Sequence, residues 1–156
     1  MTKNQTWQTK SLSPTDTEQL ALAIGQQLKG GEVIELVSDL GGGKTTFVRG
    51  LAKGFGSDDK VASPTYTISK VYKHGQLELH HFDFYRLQEA GLVSHELAEV
   101  IDDPSCTVVV EWGEVVHDVL PETRMKLAII KTGEESRILN VEYPSSLAYL
   151  VEGVKN

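Results

Sequence analysis

Lys44 and Thr45 close the stretch SDLGGGKT, an ammonium and a hydroxyl set directly behind three glycines. That combination can hold a phosphate chain. The pattern for such a loop is G-x-x-x-x-G-K-[ST], and Gly43, Lys44 and Thr45 supply its second half. Glycines let consecutive backbone N–H groups turn inward around phosphate oxygens, and a helix beginning there adds a favourable dipole. In this arrangement Lys44 sets its charge against the β- and γ-phosphates and Thr45 offers its hydroxyl to Mg2+. Thr46 supports the α-phosphate side. The cradle is then Asp39, Leu40, Gly41, Gly42, Gly43, Lys44, Thr45 and Thr46. A ligand-free glycine-rich turn is the plain alternative, and the strand before and helix after the loop weigh against it.

One corner departs from the pattern. The first glycine should stand at position 38, where this chain has Ser38. Positive φ there would strain a serine, whereas negative φ would leave it harmless. We read an altered corner, not a disabled site.

Two carboxylates are placed to serve the same centre. Glu111 ends the apolar run TVVVE, where an acid at a strand end reaches Mg2+ or the attacking water. Asp83, within HHFDFYRL, also follows a strand. A lone carboxylate at a strand end is more often a capping or surface group. Beside a loop that binds Mg·ATP, both become candidates, because the cation needs acidic partners. The catalytic candidates are therefore Lys44, Asp83 and Glu111, with Thr45 and Glu111 on the metal.

These residues need elements to hold them. Ser13-Pro14-Thr15-Asp16 reads as a helix start, Leu20, Ile24 and Leu28 follow at helical spacing, and Gly30-Gly31 closes the helix. Val33 to Val37 is a short strand entering the loop, and Thr45 to Phe55 is the helix leaving it. Strands are expected over Thr67 to Lys73, Gln76 to Phe84 and Thr107 to Glu111, with a helix over Gln88 to Ile101. Met125 to Lys131 and Arg137 to Tyr143 suggest a late hairpin, and Ser145 to Val151 a final helix. Helices interleaved with apolar strands make the fold class α/β with antiparallel hairpin additions.

The chain has 156 residues, enough for one domain over residues 1–156 and too few for two ordinary ones. Its 40 % hydrophobic and 24 % charged content is that of a soluble globular protein. No apolar run approaches the ~20 residues that span a bilayer, and MTKNQTWQTK lacks the apolar core of a signal peptide. Cys106 stands alone, which precludes an internal disulfide framework and fits a reducing cytoplasm. A net charge of −7 argues against this chain gripping nucleic acid by itself.

SDLGGGKTTFVRG, SPTYT, HFDFYRL and VVVEW occur in this order over residues 38–112, within a resemblance that covers roughly residues 13 to 125. Together they resemble the TsaE (YjeE) family, the bacterial ATPases of tRNA threonylcarbamoyladenosine formation. SPTYT and HFDFYRL carry the resemblance more than the loop, which many families share. It implies a P-loop NTPase fold, a mostly parallel sheet flanked by helices, that uses ATP and Mg2+. It also implies work with TsaD and TsaB in the cytoplasm, tRNA being met only through that complex. Lys44, Thr45 and Thr46 match nucleotide-holding residues, Thr45 and Glu111 the Mg2+ site, and Asp83 an acid needed for hydrolysis. Trp112 matches an aromatic beside the site, and Thr65 in Ser63-Pro64-Thr65 a sensor in a switch-like loop. The departures are Ser38 for glycine, Gly42 for alanine and Gly113 for proline, and no acidic run follows Arg86.

Other residues are set aside. Adjacent strand positions point to opposite faces, so His80 and His81 do not share an ion. Cys106 opens a buried strand with no base beside it in sequence, which describes an inert core thiol. Trp7 is expected to pack, not to stack on a nucleotide. Two rivals to an ATPase remain, a small-molecule kinase and a non-catalytic module that uses nucleotide to recognise a partner. The chain has four arginines (Arg49, Arg86, Arg124, Arg137), no evident lid and no evident internal arginine finger.

Overall fold

The computed structural model of the chain describes residues 4–38, 41, 43–58, 69–85 and 91–155. Among these residues, seven strands form a single sheet: β1 (Gln5–Ser11), β2 (Val33–Val37), β3 (Ser69–His74), β4 (Leu77–Asp83), β5 (Cys106–Glu111), β6 (Met125–Lys131) and β7 (Arg137–Tyr143). Their order across the sheet is β1-β7-β6-β2-β5-β4-β3. The four central strands β6, β2, β5 and β4 run parallel, and β3 on one side and β7 and β1 on the other are antiparallel additions. The fold is α/β, as expected.

Among the described residues, three α-helices cover this sheet: α1 (Pro14–Gly25), α2 (Lys44–Phe55) and α3 (Gly91–Ile101). Strand alternation sends side chains to two apolar layers. Ile34 and Leu36 of β2, Leu79 of β4 and Val109 of β5 join Ile24 of α1 and Phe47, Val48 and Leu51 of α2. Val33, Phe82, Val108 and Val110 point the other way, onto Leu97 of α3. A residue of β4 or β5 at an odd position therefore faces α1 and α2, and one at an even position faces α3.

The packing of α1 on α2 is a backbone contact. A Cβ on Gly25, Gly50 or Gly54 would lie 2.2, 2.2 and 2.0 Å from the carbonyl oxygens of Leu51, Glu18 and Leu22. Side chains at these three positions would force the helices apart. The seam fixes α2, and with it the residues at its N-terminus.

A buried carboxylate ties the base of the sheet together. Glu32, just ahead of β2, is 2 % exposed and accepts four hydrogen bonds. They come from the N–H groups of Lys29 and Gly30, Thr107 Oγ1 on β5 and Tyr149 Oη near the C-terminus. Burial, and then the bond to Glu32, pushes the Tyr149 hydroxyl pKa up.

Several boundaries differ from the sequence expectation. Ser13 caps α1, its Oγ accepting from Asp16 N, but the helix ends at Gly25 instead of running to Gly30. The tighter bonds Gln27 N to Ile24 O and Leu28 N to Gly25 O carry the turn onward, so Leu28 still reaches the core. The closing segment Ser145–Leu150 is a 3-10 helix. β1 was not anticipated, because QTWQTKS is polar and only Trp7, Thr9 and Ser11 turn inward. Trp7 packs against the larger apolar layer. The first residues of the expected strand from Thr67 and helix from Gln88 lie outside the described residues.

Candidate functional site

Three elements end together at the carboxyl edge of the parallel strands, the edge where open α/β sheets hold ligands. β2 leads through Ser38 into the loop, β5 ends at Glu111, and β4 ends at Asp83. Asp83 and Glu111 are register partners on adjacent parallel strands, and the Phe84 N–H donates to Glu111 O. Both carboxylates are at odd positions and face the α2 side. Burial, then the neighbouring Glu111 charge, raises the Asp83 carboxyl pKa, while the Tyr85 N–H, His81 and Lys44 pull it down. Two acids crowded in this way suit a divalent cation.

Lys44 starts α2 and is 8 % exposed. Its Nζ donates to Ser38 O at 2.9 Å and stands 4.4 Å from the centroid of the Trp112 ring. Trp112 is held at φ 58, the left-handed region that bulky residues rarely enter. That backbone turn, directly after Glu111, swings the indole over the lysine and against Tyr85, whose ring centroid is 5.0 Å away. Gly113 follows in a tight place, where a Cβ would meet Glu35 Oε2 at 3.1 Å.

Gly41 and Gly43 take φ 76 and φ 106, values suited to glycine, and Gly43, at the α2 N-cap, has no side chain with which to cap the helix. The N–H groups that open a helix are a favourable place for an anion. Thr45 and Thr46 follow in the first turn, both partly exposed. Ser38 does not have positive φ, so the departure from glycine carries no backbone strain. Asp39, Leu40, Gly42 and Thr65, like Arg86 and the SPTYT segment, lie outside the described residues. The structure thus brings Lys44, Thr45, Thr46, Asp83, Glu111 and Trp112 to one end of the sheet.

It adds residues that sequence reasoning passed over. His81, 1 % exposed, shares a short hydrogen bond with Glu111, its Nε2–H donating to Oε2. Its Nδ1 is buried with no partner among the described residues. The signal was present in HFD: His81 is two positions from Asp83 and so shares its face. Arg137 also approaches, its Nε 3.7 Å from the point a Cβ on Gly43 would occupy. The expectation of no evident internal arginine finger did not weigh this approach, because Arg137 comes from β7, remote in sequence. Its Nη1 is held by Gly133 O, Glu134 O and Ser136 O.

The family model "Threonylcarbamoyl adenosine biosynthesis protein TsaE" matches residues 11–139. The chain belongs to the TsaE family. Among its TsaE relatives, the tRNA threonylcarbamoyladenosine biosynthesis protein TsaE of Bacillus subtilis is 36 % identical over 139 residues, which cover 86 % of this chain and 83 % of the relative. The TsaE protein of Treponema pallidum is 36 % identical over 131 residues, 84 % of this chain and 96 % of the relative. The crystal structure of Bacillus subtilis YdiB superimposes with a TM-score of 0.73 at 30 % identity, covering 98 % of this chain and 95 % of that one. No helix among the described residues of this TsaE-family chain is long and apolar enough to cross a membrane.

Proposed function

We propose that this TsaE-family protein is a Mg2+-dependent ATPase of tRNA threonylcarbamoyladenosine biosynthesis. In this reading its one domain, residues 1–156, works in the cytoplasm and couples ATP hydrolysis to turnover of a TsaD–TsaB complex. The observation that carries the reading is the pairing of Asp83 with Glu111 across β4 and β5, at the edge where Lys44 and the α2 N-terminus stand. The N–H groups of the loop and of α2 bind the phosphates, with Asp39 to Thr46 as the cradle. Lys44 leaves Ser38 O for the β- and γ-phosphates. Thr45 and Glu111 hold the cation, which when bound neutralises charge developing on the transferring phosphoryl group. Asp83 orients the attacking water, and His81 fixes the Glu111 carboxylate through Nε2. Trp112 walls the site, and Thr65 reports the state of the γ-phosphate.

Phosphate release is measured from Mg·ATP, with and without TsaD and TsaB, for wild type and Lys44→Ala. Slow release by the isolated chain and marked stimulation by the pair are expected. Lys44→Ala should weaken nucleotide binding tenfold or more, roughly 1.5–3 kcal/mol for a charge-assisted contact. Transfer of phosphate to a small acceptor in place of water would favour the kinase. Binding without turnover, even with both partners, would favour the non-catalytic module.

A further inference from the structure

The amino ends of β4 and β5 carry a second group of chemistry-bearing side chains. Glu78 and Cys106 are register partners on these parallel strands, and His80 lies two residues further along β4 on the same face. All three are at even positions, so they face the α3 side. Asp83 and Glu111 lie five residues beyond Glu78 and Cys106 on the same strands, about 16 Å at ~3.3 Å per residue, Asp83 lies three beyond His80, about 10 Å, and both acids face the other way. The two groups are separated by both distance and sheet face.

Three donor atoms converge. His80 Nε2 is 3.0 Å from Glu78 Oε1 and 3.6 Å from Cys106 Sγ, and Sγ is 3.8 Å from Glu78 Oε1. A tetrahedral zinc ion, about 2.3 Å from sulfur and about 2.0–2.1 Å from nitrogen or oxygen, sets S–N and S–O pairs about 3.6 Å apart and N–O about 3.4 Å apart. The two sulfur edges already have these lengths to within about 0.2 Å, and a small rotation of the Glu78 carboxylate opens the third.

A cysteine nucleophile activated by a His–acid relay does not fit. In a relay the acid and the thiol address different ring nitrogens. Here thiol and carboxylate both address Nε2, the convergence that metal ligation requires. Cys106 is 4 % exposed, while the side chains of His80 and Glu78 are 13 % and 34 % exposed. The group is thus walled on the sulfur side and open to solvent on the carboxylate side, leaving room for entry and for a water in the fourth position.

We propose that Glu78, His80 and Cys106 form a zinc-binding site that clamps the starts of β4 and β5, separate from the nucleotide centre. Thiolate and carboxylate together neutralise the divalent charge. A thiolate–imidazole donor set selects zinc over Mg2+, which prefers oxygen ligands throughout.

The full-length protein, stripped with chelator and kept reduced, is titrated with Co2+ and then Zn2+. A thiolate-to-cobalt charge-transfer band saturating at one equivalent, and lost on adding zinc, is expected. Cys106→Ser should abolish the band, and His80→Gln and Glu78→Gln should each weaken cobalt binding by at least about tenfold. Thermal unfolding without metal identifies variants that keep the fold, and two conservative changes at partly exposed positions keep the test open if Cys106→Ser does not. No band in the wild type, or an undiminished affinity in folded His80→Gln, would overturn the proposal.

Discussion

Gly54→Ala reads the α1–α2 seam by its sign. In an ordinary helix this change is stabilising, by about 0.8–1 kcal/mol, because alanine is the better helix former. At Gly54 the new methyl would sit 2.0 Å from Leu22 O, 2.8 Å from Leu22 C and 3.0 Å from Gln26 N, all of them backbone atoms. No side chain can rotate out of the way, so α1 must retreat by roughly 1 Å to restore a 3.0 Å contact. Overpacking of this kind costs about 1–3 kcal/mol, and rigid backbone places it toward the upper end. The net expectation is a loss of about 1–2 kcal/mol, a fall in Tm of roughly 2–8 °C for a chain of this size. Urea and thermal unfolding, followed by circular dichroism, measure it. Gly153→Ala is the control, since nothing lies within 4 Å of its Cβ position, and it should change stability by less than about 0.5 kcal/mol. A Gly54→Ala protein as stable as the wild type, or more so, would refute the close backbone contact.

Ser38→Gly should lower stability by about 0.4–1 kcal/mol through unfolded-state entropy and leave ATP affinity nearly unchanged, as paired unfolding and nucleotide titration would report. A large gain in affinity would mean that serine had impaired the loop. Asp83→Asn and Glu111→Gln should each reduce partner-stimulated phosphate release far more than nucleotide binding, since the loop supplies most of the contacts; a wild-type rate in either removes that residue from catalysis. Glu32→Gln should cost about 1.5–3 kcal/mol in denaturant unfolding, because each carboxylate oxygen accepts from two donors and an amide NH2 would face a pair of them. Unchanged stability would show that the buried acid is not a structural tie.

Local patterns made the centre of the fold legible. β2, β6 and β7 have the bounds their apolar runs suggest, because buried strands announce themselves through continuous or alternating apolarity. The loop, Asp83 and Glu111 were legible for a related reason, since strand-end acids and a glycine-rich turn have fixed places in a parallel sheet. β1 was not, because an edge strand buries one face and takes its order from β7. Nor were the pairings made across the sheet. His81 meets Glu111 thirty positions away, Arg137 approaches Gly43 from the other end of the chain, and Cys106 meets His80 across two strands. Each depends on register between strands, which no single segment encodes.

The resting contacts of Lys44 have a thermodynamic consequence for anything that binds the loop. A free lysine side chain gives up about 2 kcal/mol of rotamer freedom when a ligand immobilises it. Here the hydrogen bond to Ser38 O and the indole face of Trp112 have already confined it during folding. An arriving phosphate therefore exchanges partners around an ordered ammonium instead of ordering a mobile one. The heat released is the difference between two sets of contacts, so it is small for a singly charged anion and grows with the charge offered. Replacing Trp112 by a small residue would loosen the lysine and shift part of phosphate binding from enthalpy to an entropic penalty, a change that calorimetry resolves even where affinity hardly moves.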